Sequence, residues 1–225
     1  MILIIGAMPE EVMELSSLME NVEQHQIEDI QVWEGLLSDK PVVLALSGVG
    51  KVNAAFTSSV LIAHYKPEYV LNIGSAGGLQ DGQKVGDVVI STTLQYHDLD
   101  IGPNTHTDPR FIFDTDIQLR EHAKNAVGKL GLPYHLGLIV TGDQFITKVQ
   151  PQFKHIQNTF PDAICVEMES AAIGAVCKRF EIPFVVLRSL SDITHEDDNN
   201  LTFEEYLHVA SKNSAKICKE FVSHI

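Results

Sequence analysis

Three carboxylates in this sequence stand where a carboxylate can do chemistry. Glu11 follows the apolar run Ile2-Leu3-Ile4-Ile5 and the turn Gly6-Ala7-Met8-Pro9. Pro9 suits a first helical turn, where the peptide dipoles favour an ionised acid. Glu169 ends Ile164-Cys165-Val166-Glu167-Met168-Glu169, just before the small, helix-compatible stretch Ser170 to Cys177. The same dipoles hold it ionised, and an ionised carboxylate only accepts, which suits paired hydroxyls such as a ribose 2′,3′-diol. Asp192 lies just past the apolar strand Pro183 to Leu187. Burial there raises its pKa and leaves a protonated acid able to serve a leaving group. Spacing alone leaves a plainer reading open for each: first-turn charges for Glu10, Glu11 and Glu14, and capping or surface residues for Glu167 and Glu169.

Continuous apolar runs flanked by turn residues give the positioning elements. Strands are expected at Ile2 to Ile5, Ile27 to Leu37, Pro41 to Leu46, Tyr69 to Ile73, Gly86 to Ser91, Tyr134 to Val140, about Ile164 to Val166, and Pro183 to Leu187. The turn Ser38-Asp39-Lys40 joins the second and third. Helices are expected after Pro9, from an opening at Ser47-Gly48-Val49-Gly50-Lys51 to about Tyr65, over about Asp116 to Leu130, after Ser170, and over Leu201 to Val222. Val12, Leu15, Leu18 and Met19 form an apolar face on the first, and Phe203, Tyr206, Leu207 and Val209 on the last. Gly102 to Arg110 reads as a surface loop and His195 to Asn200 as a mobile one. Strands and helices alternate over residues 1–225, without repeats or linkers, which argues for a single α/β domain.

Smaller motifs are weaker. Ser47-Gly48-Val49-Gly50-Lys51 fails as a P-loop, because Ala45 replaces the first glycine and Val52 the metal-binding hydroxyl. Its glycines allow close backbone approach. Gly74-Ser75-Ala76-Gly77-Gly78 is a tight turn or an oxygen-binding loop, and no dinucleotide fingerprint accompanies it. Phe145 either stacks on a flat ring or packs in the core. His97, Asp98 and Asp100 are spaced like metal ligands, but a hydrogen-bonded turn is the better reading, and no CxxC or Cys/His cluster suggests zinc.

The 225 residues suffice for a sizeable core, and 44% are hydrophobic. The net charge of −14 argues against nucleic acid and anionic membranes as partners. Cys165, Cys177 and Cys218 are odd in number and sit in apolar contexts, as core thiols of a reducing compartment do. Met1 to Ile5 is too short for a signal peptide and no stretch reaches transmembrane length. The expected location is the cytoplasm.

Six stretches in order carry a resemblance that spans nearly the whole chain: Ile5-Gly6-Ala7-Met8-x-Glu10-Glu11, Ser47-Gly48-x-Gly50-Lys51-Val52, Gly74-Ser75-Ala76-Gly77-Gly78, Thr141-Gly142-Asp143-x-Phe145-Ile146, Val166-Glu167-Met168-Glu169 and Arg188-x-x-Ser191-Asp192. Together they resemble the methylthioadenosine/S-adenosylhomocysteine nucleosidases of the nucleoside phosphorylase superfamily. The resemblance implies a three-layer α/β/α sandwich around a mixed sheet and a homodimer. It also implies cofactor-free hydrolysis that releases adenine from an adenine nucleoside, and a place in methionine salvage. It makes Glu11 the residue acting on water, Glu169 the holder of the ribose hydroxyls, and Asp192, helped by Ser191, the acid at adenine N7. Phe145 and the backbone of Ile146 match purine-binding positions, Met168 lies against sugar and base, and Ser75 near the water. Met8, Val49 and Phe203 match residues around the 5′ substituent. The chain departs from the pattern at Pro9, at Ser189-Leu190 and in a short 102–110 loop, which bears on 5′ preference, including any use of 5′-deoxyadenosine.

A ribosyl bond breaks through an oxocarbenium-like state, so carboxylates with divided protonation are expected. A phosphorolytic enzyme of the same fold is the nearest alternative. It needs arginine forks, and no arginine precedes Arg110. Aminodeoxyfutalosine is an alternative substrate with the same adenosine core. A non-enzymatic nucleoside sensor would be expected to lack one of the three carboxylates, and all are present.

Overall fold

A computed structural model describes residues 1–196 and 199–225, with the side chains of 199–202 and 204 outside that description. In chain order the elements are β1 (Ile2–Gly6), α1 (Pro9–Ser16), β2 (Glu20–Ile27), β3 (Ile30–Leu37), β4 (Lys40–Leu46), α2 (Lys51–Tyr65), β5 (Tyr69–Gly78), β6 (Val88–Tyr96), β7 (Ile112–Asp114), α3 (Ile117–Lys129), β8 (Tyr134–Thr141), α4 (Pro151–Thr159), β9 (Ala163–Glu167), α5 (Ser170–Phe180), β10 (Phe184–Ile193) and α6 (Asn199–Val222). Two short 3₁₀ turns occupy Thr105–Thr107 and Pro109–Phe111.

Among the described residues, the ten strands form one mixed sheet. β1 runs parallel to β4 and β5, β5 parallel to β10, and β8 parallel to β6 and β9. The β10–β6 and β5–β9 pairs are antiparallel. Because β10 bonds to both β5 and β6, strands β5, β10, β6, β8 and β9 close on one another, while β1, β4, β3 and β2 extend as an open wing. Apolar side chains bury on both faces. On one, Leu61 and Ile62 of α2 and Ile173 and Val176 of α5 meet Leu3, Val43 and Val186. On the other, Leu15 of α1, Leu119 of α3 and Phe221 of α6 meet Ile4, Leu44 and Leu187. This is the expected α/β/α layering. Each such fully buried side chain contributes roughly 1.5–3 kcal/mol.

The differences from the sequence reading have local causes. Ile27 belongs to β2, which the sequence reading lacked, because β2 is an almost wholly exposed strand at the edge of the sheet with no apolar face to betray it. Ser38 (φ 50°) and Asp39 (φ 63°) form the two-residue turn into β4 with the paired left-handed geometry that hairpins favour. Short β7 and α4 also carried no signal. Gly74–Gly78 does not turn but continues β5, paired with Arg188–Ile193 of β10. Asp192 thus lies inside a strand rather than past it. On α6 the buried face is Ala210, Ile217 and Phe221, while Tyr206 and Val209 are exposed. Of the expected 195–200 loop, His195 is in a turn, 199–200 begin α6, and 197–198 lie outside the described residues. Among the described residues no helix is long and apolar enough to cross a membrane.

The three cysteines are free and buried, and burial pushes their thiols up. His97 and Asp98 lie in a bend rather than the expected hydrogen-bonded turn: His97 N–H donates to Thr141 O at 2.9 Å, Asp98 is occupied by Lys51, and Asp100 accepts the Gly102 N–H at 2.8 Å.

Candidate active site

The ends of β1, β5, β9 and β10 meet at one cavity of about 270 Å³. Glu11 reaches it from the third position of α1. Its Oε2 accepts the N–H groups of Ala7 (2.9 Å) and Met8 (3.1 Å), as a capping glutamate does. Its Oε1 accepts the N–H (3.0 Å) and the hydroxyl (3.2 Å) of Ser75. The capping and catalytic readings are therefore compatible: the cap holds the carboxylate in a site where it is only 1% exposed. The close approach of β5 depends on Gly74, whose missing Cβ would stand 2.2 Å from Arg188 Nη1 and 2.9 Å from Glu11 Oε1.

Glu167 and Glu169 have different tasks. Glu167 caps α5: its Oε2 accepts the N–H groups of Glu169 (3.0 Å) and Ser170 (2.8 Å), and its Oε1 the hydroxyls of Ser170 (2.7 Å) and Thr141. Arg188, also 1% exposed, donates to Glu167, to Asn72 Oδ1 at 2.9 Å and to Glu169 Oε2 at 3.4 Å. Burial alone would lower the Arg188 pKa, but Glu167, Glu169 and Glu11 outweigh it and raise it. Glu169 also accepts the Gly50 N–H at 2.9 Å. The expectation that helix dipoles keep Glu169 fully ionised needs correction. Burial, aided by Glu167 and Glu11, pushes its pKa up to about 7 against the pull of Arg188 and Gly50. Loss of water outweighs partial charges.

Asp192, 1% exposed, accepts the Ser191 hydroxyl at 2.9 Å. Phe145 and Phe203 meet edge to face with centroids 5.4 Å apart. Met8, Val49, Ser75, Met168 and Ser191 line the same cavity with them. Ile146 does not. It is buried and borders an adjoining recess of about 40 Å³ with Phe145, Met168 and Asp192. A larger cavity of about 690 Å³ lies between the 97–106 stretch and α4; His97, Asp98 and Asp100 line it, and none of the expected catalytic or substrate-binding residues does.

The plainer reading of Glu167 as a capping residue is what the structure shows, whereas the sequence reading gave no role to Arg188, Asn72 or Thr141. The signal was there for two of them: a charge inside the apolar run 184–190 and an amide inside 69–73 must be paired if buried. Arg188 also changes the argument against phosphate. Among the described residues it is the arginine that lines the cavity, and it is committed to Glu167 and Glu169.

The phosphorylase superfamily model matches residues 1–223. A 5′-methylthioadenosine/S-adenosylhomocysteine nucleosidase of Staphylococcus carnosus (strain TM300) is 39% identical over 100% of both chains. The crystal structure of the nucleosidase of that name from Neisseria meningitidis, in complex with methylthio-immucillin-A, superposes with a TM-score of 0.94 at 40% identity, covering 100% of this chain and 99% of that one. The Colwellia psychrerythraea 34H nucleosidase in complex with adenine gives 0.92 at 36% identity, covering 99% and 94%. With its fold and its length thus matched, the chain belongs to the phosphorylase superfamily, among the methylthioadenosine/S-adenosylhomocysteine nucleosidases.

Proposed function

We propose that residues 1–225 act as one catalytic unit that hydrolyses the N-glycosidic bond of 5′-methylthioadenosine and S-adenosylhomocysteine, releasing adenine and the thioribose sugar. The observation that carries this reading is the meeting of Glu11 and Asp192, from α1 and β10, at one cavity with Glu169 and Phe145. Glu11 accepts a proton from water as its oxygen bonds to C1′. The C1′–N9 bond breaks through an oxocarbenium-like state. Asp192 gives its proton to adenine N7, so that the base leaves neutral. Glu169, when ionised, accepts from the ribose hydroxyls. Phe145 lies against the purine and Met168 against the sugar, with Ile146 bordering the base recess, while Met8, Val49 and Phe203 face the 5′ substituent. Ser75 and Ser191 hold the two catalytic carboxylates.

The reading includes a homodimer, for which exposed Val52 and Phe56 on α2 offer an apolar face. It includes a reducing, cytoplasmic setting, supported by three free buried cysteines. The test is to follow adenine by chromatography after incubation with each nucleoside in phosphate-free buffer. One adenine per nucleoside consumed is expected, and no adenine from either would end the proposal.

A further inference from the structure

Two parts of the site sit on loops rather than in the sheet. One is the stretch before α2, whose Gly50 N–H donates to Glu169 Oε1 at 2.9 Å. The other is the 142–146 stretch, which brings Phe145 to the cavity. One carboxylate outside the cavity ties both. Asp98 takes the Lys51 ammonium on both oxygens at 2.6 Å, and its Oδ2 accepts the Asp143 N–H at 2.9 Å. Asp143 Oδ1 in turn accepts the Lys51 N–H at 2.8 Å, and its Oδ2 lies 3.5 Å from Lys51 Nζ.

The circuit closes through Tyr96. Its ring stands 5.6 Å from the Lys51 ammonium, and its hydroxyl donates to Ala171 O at 3.1 Å, two residues after Glu169. Gly50 makes the closure sterically possible: its φ is 98°, and a Cβ there would stand 3.2 Å from Asp143 Oδ1. An isolated surface ion pair is worth little. Here both side chains are about three-quarters buried, with 24% and 23% exposure, and the pair is joined to two backbone N–H groups. Burial raises the Asp98 pKa, but Lys51 and the Asp143 N–H outweigh it and hold the carboxyl below the usual range.

We propose that Asp98, through Lys51 and Asp143, is a positioning residue for the reaction, fixing the Gly50 N–H on Glu169 and the Phe145 stretch over the cavity. The proposal rests on the nucleosidase reading for its consequence in turnover, but not for the geometry it claims. The groups that face Glu169 are Arg188 of β10, Glu167 of β9, Glu11 of α1 and the Gly50 N–H ahead of α2. Of these the Asp98 circuit holds only the last. Loosening it takes a donor from the ionised form of Glu169 and leaves the other three in place.

The test uses Asp98→Asn and Lys51→Met in the full chain, the second keeping the aliphatic stem over Tyr96. Carbon-13 NMR of labelled glutamate carboxyls follows the titration of Glu169 in the free protein. The midpoint is expected to rise by about one pH unit in both variants, as loss of a hydrogen bond to a charged group does. At pH 6.5, kcat/KM for methylthioadenosine falls roughly tenfold, mostly through KM, because about one unit in midpoint is about tenfold in the ionised fraction. Asp98→Glu restores part of both. An unchanged Glu169 midpoint in folded Asp98→Asn and Lys51→Met proteins would overturn the proposal. The titration needs no turnover, so a wild-type protein that releases no adenine sinks the nucleosidase reading and still leaves the positioning claim decided.

Discussion

Ser75 gives both its backbone N–H, at 3.0 Å, and its hydroxyl, at 3.2 Å, to one oxygen of Glu11. With Ala7 and Met8 on the other oxygen, four donors fill the acceptor capacity of the carboxylate. A water can be engaged only if one donor yields. The Ser75 hydroxyl is the one that can rotate away without moving backbone.

Glu11→Gln is therefore expected to cut kcat by at least ~10²–10⁴-fold, with inhibitor binding little changed. Its amide group must face N–H donors on whichever side it points, so the folded state also loses about 1–3 kcal/mol. Ser75→Ala removes only the donor that must yield, and should cost far less in kcat. Steady-state kinetics and urea melts of the two variants check this. A Glu11→Gln enzyme keeping most of its activity would show that water is activated elsewhere.

Glu169 sets the pH response. Its pKa rises from the ordinary 4.5 to about 7 on folding, chiefly through burial. Below pH 4.5 both states are protonated and nothing is lost. Between there and about 7 the unfolded chain has released a proton that the folded protein keeps, so stability falls as pH rises, by roughly 3 kcal/mol in total. Above that window the difference is constant. Glu169→Gln should abolish this slope in urea melts from pH 4.5 to 7.5. The acid limb of kcat/KM, expected near pH 7 in the wild type, should vanish with it; a limb that stays would assign it to another group.

Asp192→Asn tests the leaving-group proton. With methylthioadenosine the loss should be at least ~10²–10⁴-fold. With a nitrophenyl riboside, whose leaving group needs no proton, it should be far smaller, whereas Glu11→Gln should impair both alike. Equal losses for both substrates in Asp192→Asn would make Asp192 a binding residue.

Arg188 tests the buried charge network. Arg188→Met strands Glu167 without its guanidinium partner and should cost roughly 3–5 kcal/mol in urea unfolding. Arg188→Met with Glu167→Met removes both charges and should recover part of that loss. A single variant as stable as wild type would mean that the cap of α5 alone satisfies Glu167.

Much of this was legible in the sequence because apolar runs carry it. β1, β9 and α5 appear where Ile2 to Ile5 and Ile164 to Cys177 put them. Glu11 and Glu169 were legible as junction residues; Asp192 was marked by the apolar run before it, although it sits inside β10 and not past it. What escaped needed the third dimension. β2 buries almost nothing, so no period marked it. Gly74–Gly78 looked like a turn because glycine lacks strand propensity, yet it is strand so that β5 can pass close to Arg188 and Glu11. The Glu169 pKa escaped because it depends on how much water the fold removes, which no neighbour in sequence reports. Lys51, Asp98 and Asp143 come from three separate stretches, and only the fold joins them.

Product analysis of methylthioadenosine turnover, with and without inorganic phosphate, bears most directly on water as nucleophile. Adenine and free methylthioribose are expected at the same rate in both buffers, because Arg188, which lines the cavity, is committed to Glu167 and Glu169. Methylthioribose 1-phosphate as the main product, formed only when phosphate is present, would contradict it.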